Sequence, residues 1–216
     1  ACQHYDVEFF GKDSHAAFAP EVGINALDAF VQAYVNISTL RQAMVDDDRI
    51  HCKVTHGGDA VNVVPSYTKS EWLIRSVSVE RLTELIPKVK ACFEGAALAT
   101  GCRFEWHETA HPYDNMRNNG VMTDLYAANS EALGRPMPTN AEQSGGSGSS
   151  DMGNVSQVVP SIHPMLGMDC GDAVNHQPEF AARTVEPGGE AALRDGALGM
   201  AWTIIDMAEH DVWDRL

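Results

Sequence analysis

The hydrophobic pattern of residues 3–110 alternates between two periods, and this feature constrains the fold more than any other. Side chains that alternate every second residue predict strands, and apolar residues three or four positions apart predict amphipathic helices. The pattern predicts, in chain order, a strand from Tyr5, a helix over Leu27–Met44, strands over Ile50–Thr55 and Glu71–Val77, a helix over Leu82–Phe93 that ends at Gly101, and a strand over Arg103–Glu108. This order is typical of a ferredoxin-like split βαβ sandwich, in which two helices cover one face of one sheet.

The remaining residues, 112–216, are less regular. They predict a helix from about Gly120 to Leu133, a flexible stretch over Gln143–Ser150, a short strand near Ile162 and a closing helix from about Glu190 to Ala208. One short strand cannot close a sheet of its own. We therefore expect a mixed α/β (α+β) protein, with a ferredoxin-like domain over residues 1–111 and, over residues 112–216, part of an α/β domain whose other strands lie outside this sequence.

Composition and charge exclude several classes of function. The 216-residue chain is 44% hydrophobic and 21% charged, which is typical of a folded globular protein. Its net charge of −15 repels phosphate backbones and anionic lipids, so we expect neither a nucleic-acid nor a membrane partner.

No apolar run approaches the roughly 20 residues that cross a bilayer, and no secretion leader is visible. The five cysteines form no CxxC pair, which favours buried free thiols in a reducing compartment and hence a cytoplasmic protein.

Short motifs alone identify no catalytic centre. The run Ser144–Asp151 lacks the G-x-S-x-G pattern of a nucleophile elbow and the third glycine of a dinucleotide fingerprint. Two interpretations of this run are equally good. It could be a mobile linker, or its free backbone amides could hold a carboxylate. The nine histidines contain neither an HExxH motif nor zinc-finger spacing. His176 lies in a polar loop before the closing helix, and its spacing leaves both a structural role and metal binding open.

Four ordered segments carry a more specific pattern. The segments are Gly11–Ala17 with Pro20 and Gly23–Ala29, Gly57-Gly58 with Asn62–Pro65 and Arg75, Ser149–Ser156 with Val159–Pro164, and Asn175-His176 before Phe180. Their order and gaps resemble the zinc metallopeptidase family that includes aminoacylase, carboxypeptidase G and the amidohydrolases. Within this family the pattern is most similar to the amidohydrolase branch, near dipeptidases of the β-alanyl-lysine type and aminobenzoyl-glutamate hydrolase subunits.

The resemblance implies an incomplete catalytic apparatus. Members of the family begin with a catalytic half that carries most of the metal ligands and a Glu-Glu pair, and this sequence contains neither. The resemblance therefore implies a lid or dimerisation domain over residues 1–111, followed by the C-terminal part of the catalytic domain over residues 112–216. It also implies a homodimer through the lid and a divalent metal, expected to be zinc, with two ions in the intact enzyme.

The same resemblance implies roles for individual residues. His15 matches the lid histidine that reaches the partner's active site and donates to a developing oxyanion. Asn62 and Arg75 match substrate-binding positions, and the guanidinium suits a terminal carboxylate. His176 matches the last metal ligand of the branch, whereas Asp151 does not match a ligand position, and neither does His163.

Two hypotheses of function follow. The leading one is a fragment of a metal-dependent amidohydrolase or dipeptidase that uses metal-activated water to hydrolyse an amide next to a free carboxylate, in a small acyl-amino acid or dipeptide. On this hypothesis the chain alone is inactive. The alternative is a non-catalytic, dimeric ferredoxin-like module that binds a small ligand. Structural roles also stay open for two residues, because Asn62 could cap its turn and Arg75 could pair with Glu71 or Glu105.

Overall fold

The computed structural model describes residues 1–137 and 148–216, so positions 143–147 of the predicted flexible stretch lie outside the described residues. The chain divides into two compact units. The first holds Ala1–Asn115 with Gly148–Gly153, and the second holds the described residues of Met116–Ser147 with Asn154–Leu216. Among the described helices, none combines the length and apolar character that crossing a bilayer requires.

A four-stranded sheet and two helices form the first unit. The strands are β1 (Cys2–Phe10), β2 (Arg49–His56), β3 (Tyr67–Arg75) and β4 (Arg103–Glu108), and the helices are α1 (Ala26–Leu40) and α2 (Val79–Thr100). The strands lie in the order β2-β3-β1-β4, and every neighbouring pair is antiparallel. This arrangement confirms the predicted ferredoxin-like fold.

Local sequence signals set the ends of both helices. The side-chain oxygen of Asn25 accepts a hydrogen bond from the amide of Leu27 at 2.9 Å, at the start of α1. The hydroxyl of Ser78 accepts one from the amide of Arg81 at 3.3 Å, at the start of α2. These side chains satisfy amides that the first turn of a helix leaves unpaired. α2 ends, as predicted, at Gly101, whose φ of 75° lies in the left-handed region that favours glycine.

The sheet has one apolar face and one polar face. Residues along β1 and β3 alternate between buried and half-buried, so one face packs against the helices and the other stays open. Aromatic rings fill the core, where Trp72 meets Phe93 edge to face with ring centroids 4.9 Å apart. The open face carries ion pairs, including Lys53 with Glu71 at 3.0 Å.

β3 starts earlier than predicted, at Tyr67 rather than Glu71. Thr68 and Ser70 explain the difference, because they are polar residues buried on the core face and interrupt the apolar alternation. The hydroxyl of Thr68 donates to a backbone carbonyl of α1 at 3.0 Å, and that of Ser70 accepts from the indole of Trp72 at 2.8 Å. Their hydrogen bonds offset the cost of burying polar groups.

The second unit is helical over its described residues. Its helices are α3 (Gly120–Ala132), α5 (Pro178–Arg183) and α6 (Pro187–Glu209), and the short α4 (Met152–Ser156) lies at the boundary of the two units. α3 packs against α6, where Gly199 lets the ring of Tyr126 approach. The side-chain amide of Asn129 also donates to the carboxylate of Asp206 at 2.7 Å.

The predicted short strand near Ile162 is wrong. Ser161 forms only an isolated bridge with Asn118, and the described part of this unit contains no strand that could extend it. A strand needs a neighbouring strand to satisfy its backbone groups, so the apolar residues near Ile162 remain in an extended loop.

Candidate functional site

Two loops that carry predicted site residues lie side by side at one end of the sheet. The loop after β1 holds His15, and the loop between β2 and β3 holds Asn62. The amide of Ala16 donates to the carbonyl of Asn62 at 3.0 Å, and His15 forms an isolated antiparallel bridge with Val63. The structure therefore brings His15 and Asn62 together.

His15 is exposed and its imidazole has a defined orientation. Its Nδ1 accepts a hydrogen bond from the amide of Ala17 at 3.2 Å, and its ring lies against Phe18 with centroids 4.4 Å apart. Because Nδ1 acts as the acceptor, the proton of the neutral ring sits on Nε2, which is then available to donate. This geometry suits a hydrogen-bond donor toward a group outside the domain.

The loop between β2 and β3 is held at its root by glycine and by ring contacts. Gly58 has a φ of 115° and packs so tightly on Pro65 that a side chain would collide with the proline ring. Tyr67 lies against the ring of His56 at 5.2 Å between centroids and donates its hydroxyl to Glu8 at 2.5 Å. Burial and the Glu8 carboxylate raise the pKa of Tyr67 to about 12, so this phenol stays protonated.

The structural alternatives stated above for Asn62 and for Arg75 are both wrong. The side chain of Asn62 is exposed and caps no turn in the described part of the chain. Glu71 pairs with Lys53 at 3.0 Å, and Glu105 pairs with Arg103 and with His107, so neither carboxylate binds Arg75. The half-buried Arg75 has no ion pair among residues 1–137 and 148–216.

Arg75 lies at the opposite end of the sheet from the two loops. Strand β3 begins at Tyr67, beside the Asn62 loop, and ends at Arg75. At about 3.3 Å per residue, the two ends of this strand are about 26 Å apart. Within one protomer, a single small molecule therefore cannot contact both Arg75 and His15.

His176 lies in an exposed loop directly before the short helix α5, rather than before a long closing helix. Its φ of 72° is unusual for a residue other than glycine. In the described residues, no group of three or more His, Cys, Asp or Glu side chains could hold a metal ion. One exposed imidazole does not by itself form a metal site.

Sequence reasoning missed Arg49. The register of the sheet places it directly across from Arg75, on β2. The pairing of β2 with β3 is the only signal that could have revealed this neighbour, because the two residues are far apart in the sequence. His107 and His111, which a continued strand would have put on one face, do not share a strand, since β4 ends at Glu108.

Comparison with known proteins identifies relatives of both units. Residues 3–100 match the family model of a peptidase dimerisation domain. The Xaa-Arg dipeptidase of Mus musculus is 39% identical over 202 residues, covering 93% of this chain and 47% of that protein. A p-aminobenzoyl-glutamate hydrolase subunit of Escherichia coli is 32% identical over 102 residues, covering 45% of this chain and 21% of that protein. The chain thus spans less than half the length of these curated relatives.

A solved structure shows the same fold. Aminopeptidase PepT from Bacillus cereus superposes with a TM-score of 0.59 at 19% identity, covering 92% of this chain and 51% of that one. At this identity the likeness concerns the fold alone. The sequence relatives are peptidases and amide hydrolases, as the four ordered segments indicated.

Proposed function

Since the chain belongs to the peptidase family that carries this dimerisation domain, we propose that it is part of a metal-dependent amidohydrolase or dipeptidase. The proposed enzyme hydrolyses an amide next to a free carboxylate in a small acyl-amino acid or dipeptide. The observation that carries the proposal is the similarity over 202 residues to a dipeptidase, which extends past the dimerisation domain into the second unit. A non-catalytic module would need only the first unit.

Residues 1–111 would act as the lid and dimerisation domain, and residues 112–216 as the C-terminal part of the catalytic domain. His176 would supply one ligand to a divalent metal, for which zinc is the family expectation. When bound, such a metal supplies an activated water for amide hydrolysis. All five cysteines are free, but the expectation that they are buried holds only for Cys2, because the other four are half-buried. Free thiols support the proposed reducing, cytoplasmic location.

Each of the lid residues would bind a different part of the substrate. His15 would donate from Nε2 to the oxygen that becomes negative as the amide is attacked, and Asn62 beside it would hydrogen-bond the substrate. Arg75 would bind the terminal carboxylate through its guanidinium fork. Because His15 and Arg75 lie at opposite ends of β3, the site would combine Arg75 of one protomer with His15 and Asn62 of the partner.

The test uses an enzyme that contains this chain together with the rest of the catalytic domain. We expect His15→Ala to lower kcat by roughly a hundredfold or more with unchanged metal content, which is the usual effect of removing one oxyanion donor. His176→Ala should lower both metal content and rate, and His163→Ala serves as the matched control that lowers neither. If the 216-residue chain alone hydrolysed acyl-amino acids in a metal-dependent reaction, the proposal that it holds only part of the catalytic domain would be contradicted.

A further inference from the structure

The open face of the sheet separates into two electrostatic regions. Toward the Tyr67 end of β3, basic side chains are matched by acidic ones. The pairs are Lys53 with Glu71 at 3.0 Å, Lys69 with Asp6 at 2.5 Å, and Arg103 with Glu105. This part of the face is neutralised by its own side chains.

The other end of the same face is basic. Arg49 on β2 and Arg75 on β3 are direct cross-strand neighbours, and the buried Cys2 of β1 lies across from Arg75 on its other side. The next positions on this face are Leu73 and the two histidines paired with it, His4 on β1 and His51 on β2. None of these positions holds a carboxylate. Like charges placed opposite each other on neighbouring strands destabilise a sheet. The chain has a net charge of −15, so acidic side chains are in excess, and two directly opposed arginines are therefore unexpected.

Neither guanidinium forms an ion pair with an acidic side chain in the described residues, although Asp114 interacts electrostatically with the Ala1 N-terminus, which lies near Arg75. Nη1 of Arg49 donates to the backbone carbonyls of Asp46 and, at 2.8 Å, Asp48, which leaves its Nε and Nη2 available. The Asp48 carboxylate is fully buried and binds Arg81 at 2.9 Å, so it pairs with neither Arg49 nor Arg75. Arg75 has no ion pair among residues 1–137 and 148–216.

We propose that Arg49 and Arg75 bind one carboxylate together, which makes Arg49 a second carboxylate-binding residue beside Arg75. The proposal rests on the proposed function, because it extends the role given there to Arg75. Directly opposed residues on antiparallel strands have Cα atoms about 4.5–5.5 Å apart, so both forks can reach the same carboxylate. The bound anion removes the repulsion between the two arginines, so the free protein is destabilised at this position and the complex is not.

The test is a titration of the protein with N-benzoylglycine, a small acyl-amino acid, followed through the NMR signals of the arginine Nε–Hε groups. We expect the signals of Arg49 and Arg75 to shift together with one dissociation constant, and sodium chloride at equal ionic strength to shift neither. Arg49→Ala and Arg75→Ala should each weaken binding about tenfold or more, as expected for a charge-assisted hydrogen bond. Lys53→Ala is the matched control, since it removes one positive charge from the same strand and face, and it should change affinity less than about twofold.

The outcomes separate this inference from the proposed function. If Arg75→Ala weakens binding but Arg49→Ala behaves like Lys53→Ala, the role of Arg49 is overturned and that of Arg75 stands. If neither arginine variant weakens binding, the carboxylate-binding role of Arg75 fails as well. Absence of saturable binding to the unaltered protein overturns the anion site, whereas amide hydrolysis is judged separately by the rate experiments. Backbone amide spectra of each variant show whether it is folded, and Arg49→Gln provides a second, milder variant.

Discussion

Asp48 is a buried carboxylate that links the start of β2 to the start of α2. Its side chain is fully buried, accepts hydrogen bonds from Arg81 at 2.9 Å and from the hydroxyl of Ser76 at 2.6 Å, and holds the turn before Arg49. Burial raises the pKa of Asp48, but the hydrogen bonds from Arg81 and Ser76 outweigh it and hold the pKa below its ordinary value. A carboxyl whose pKa is lowered by folding stabilises the folded state when ionised.

We predict that Asp48→Asn lowers the free energy of unfolding of the first unit by about 3 kcal/mol at pH 7, because Arg81 loses its buried partner. The effect should shrink in acid. Since folding lowers the pKa of Asp48, its contribution is complete above the ordinary carboxyl pKa and is lost as the pH falls through the lowered value. Urea unfolding at pH 7 and pH 3 measures both expectations. Asp47→Asn, at the exposed neighbouring position, is the control, and an equal loss in the two variants would contradict the role of Asp48.

At the scale of elements, the two helices of the first unit present different outer surfaces. α1 packs against β1 and β3, and β3 is the neighbour of the edge strand β2. α2 packs against the other edge strand, β4, and also against β1 and β3. α1 exposes Val31, Tyr34 and Val35, each by about half of its surface. The outer surface of α2 is charged and includes the Lys90–Glu94 pair at 3.7 Å. An apolar helix face beside an unpaired strand edge favours the β2 side as the dimer interface.

We predict that Val35→Glu on α1 converts the dimer to a monomer, because it puts a charge into the proposed interface. Leu98→Glu on α2 is the matched control, since Leu98 is even more exposed, and that variant should remain dimeric. Sedimentation velocity at concentrations on the order of tens of micromolar distinguishes the two states. A monomeric unaltered protein, or a Leu98→Glu variant that dissociates while Val35→Glu does not, would rule out the α1 and β2 surface.

The sequence predicted elements where packing follows a simple period, and it failed where polar groups are buried or partners are distant. The apolar spacing of α2 and the glycine at its end predicted that helix. The first part of β3 was not predicted, because the buried polar residues Thr68 and Ser70 interrupt its apolar alternation. The strand near Ile162 failed because the strands that it needs as neighbours were expected outside this sequence, and the described part of its unit contains none. Motifs located His15 and Asn62, but only the register of the sheet shows that Arg75 lies at the far end and beside Arg49.

At the scale of the whole molecule, the proposed assembly is a twofold dimer with two equivalent sites. The loop that carries His15 and Asn62 and the strand end that carries Arg75 are about 26 Å apart along β3, at about 3.3 Å per residue. A twofold axis repeats every contact between the two protomers, so the dimer has two equivalent sites. Each site can combine the strand end with Arg75 from one protomer and the loop with His15 and Asn62 from the other. This arrangement makes a distinctive prediction for dimers that contain two different variants.

We predict partial recovery of activity when His15→Ala and Arg75→Ala protomers of the complete enzyme are mixed. In a mixed dimer, one site receives His15 from the Arg75→Ala protomer and Arg75 from the His15→Ala protomer, so both groups are intact there, and the second site lacks both. Random reassociation of equal amounts makes half of the dimers mixed, and the expected rate is therefore about a quarter of the wild-type rate. The measurement is the rate of amide hydrolysis after dissociation and reassociation, with each variant reassociated with itself as the control. If His15 and Arg75 acted in the same site from one protomer, every site would lack one group, and the mixture would be no more active than the controls.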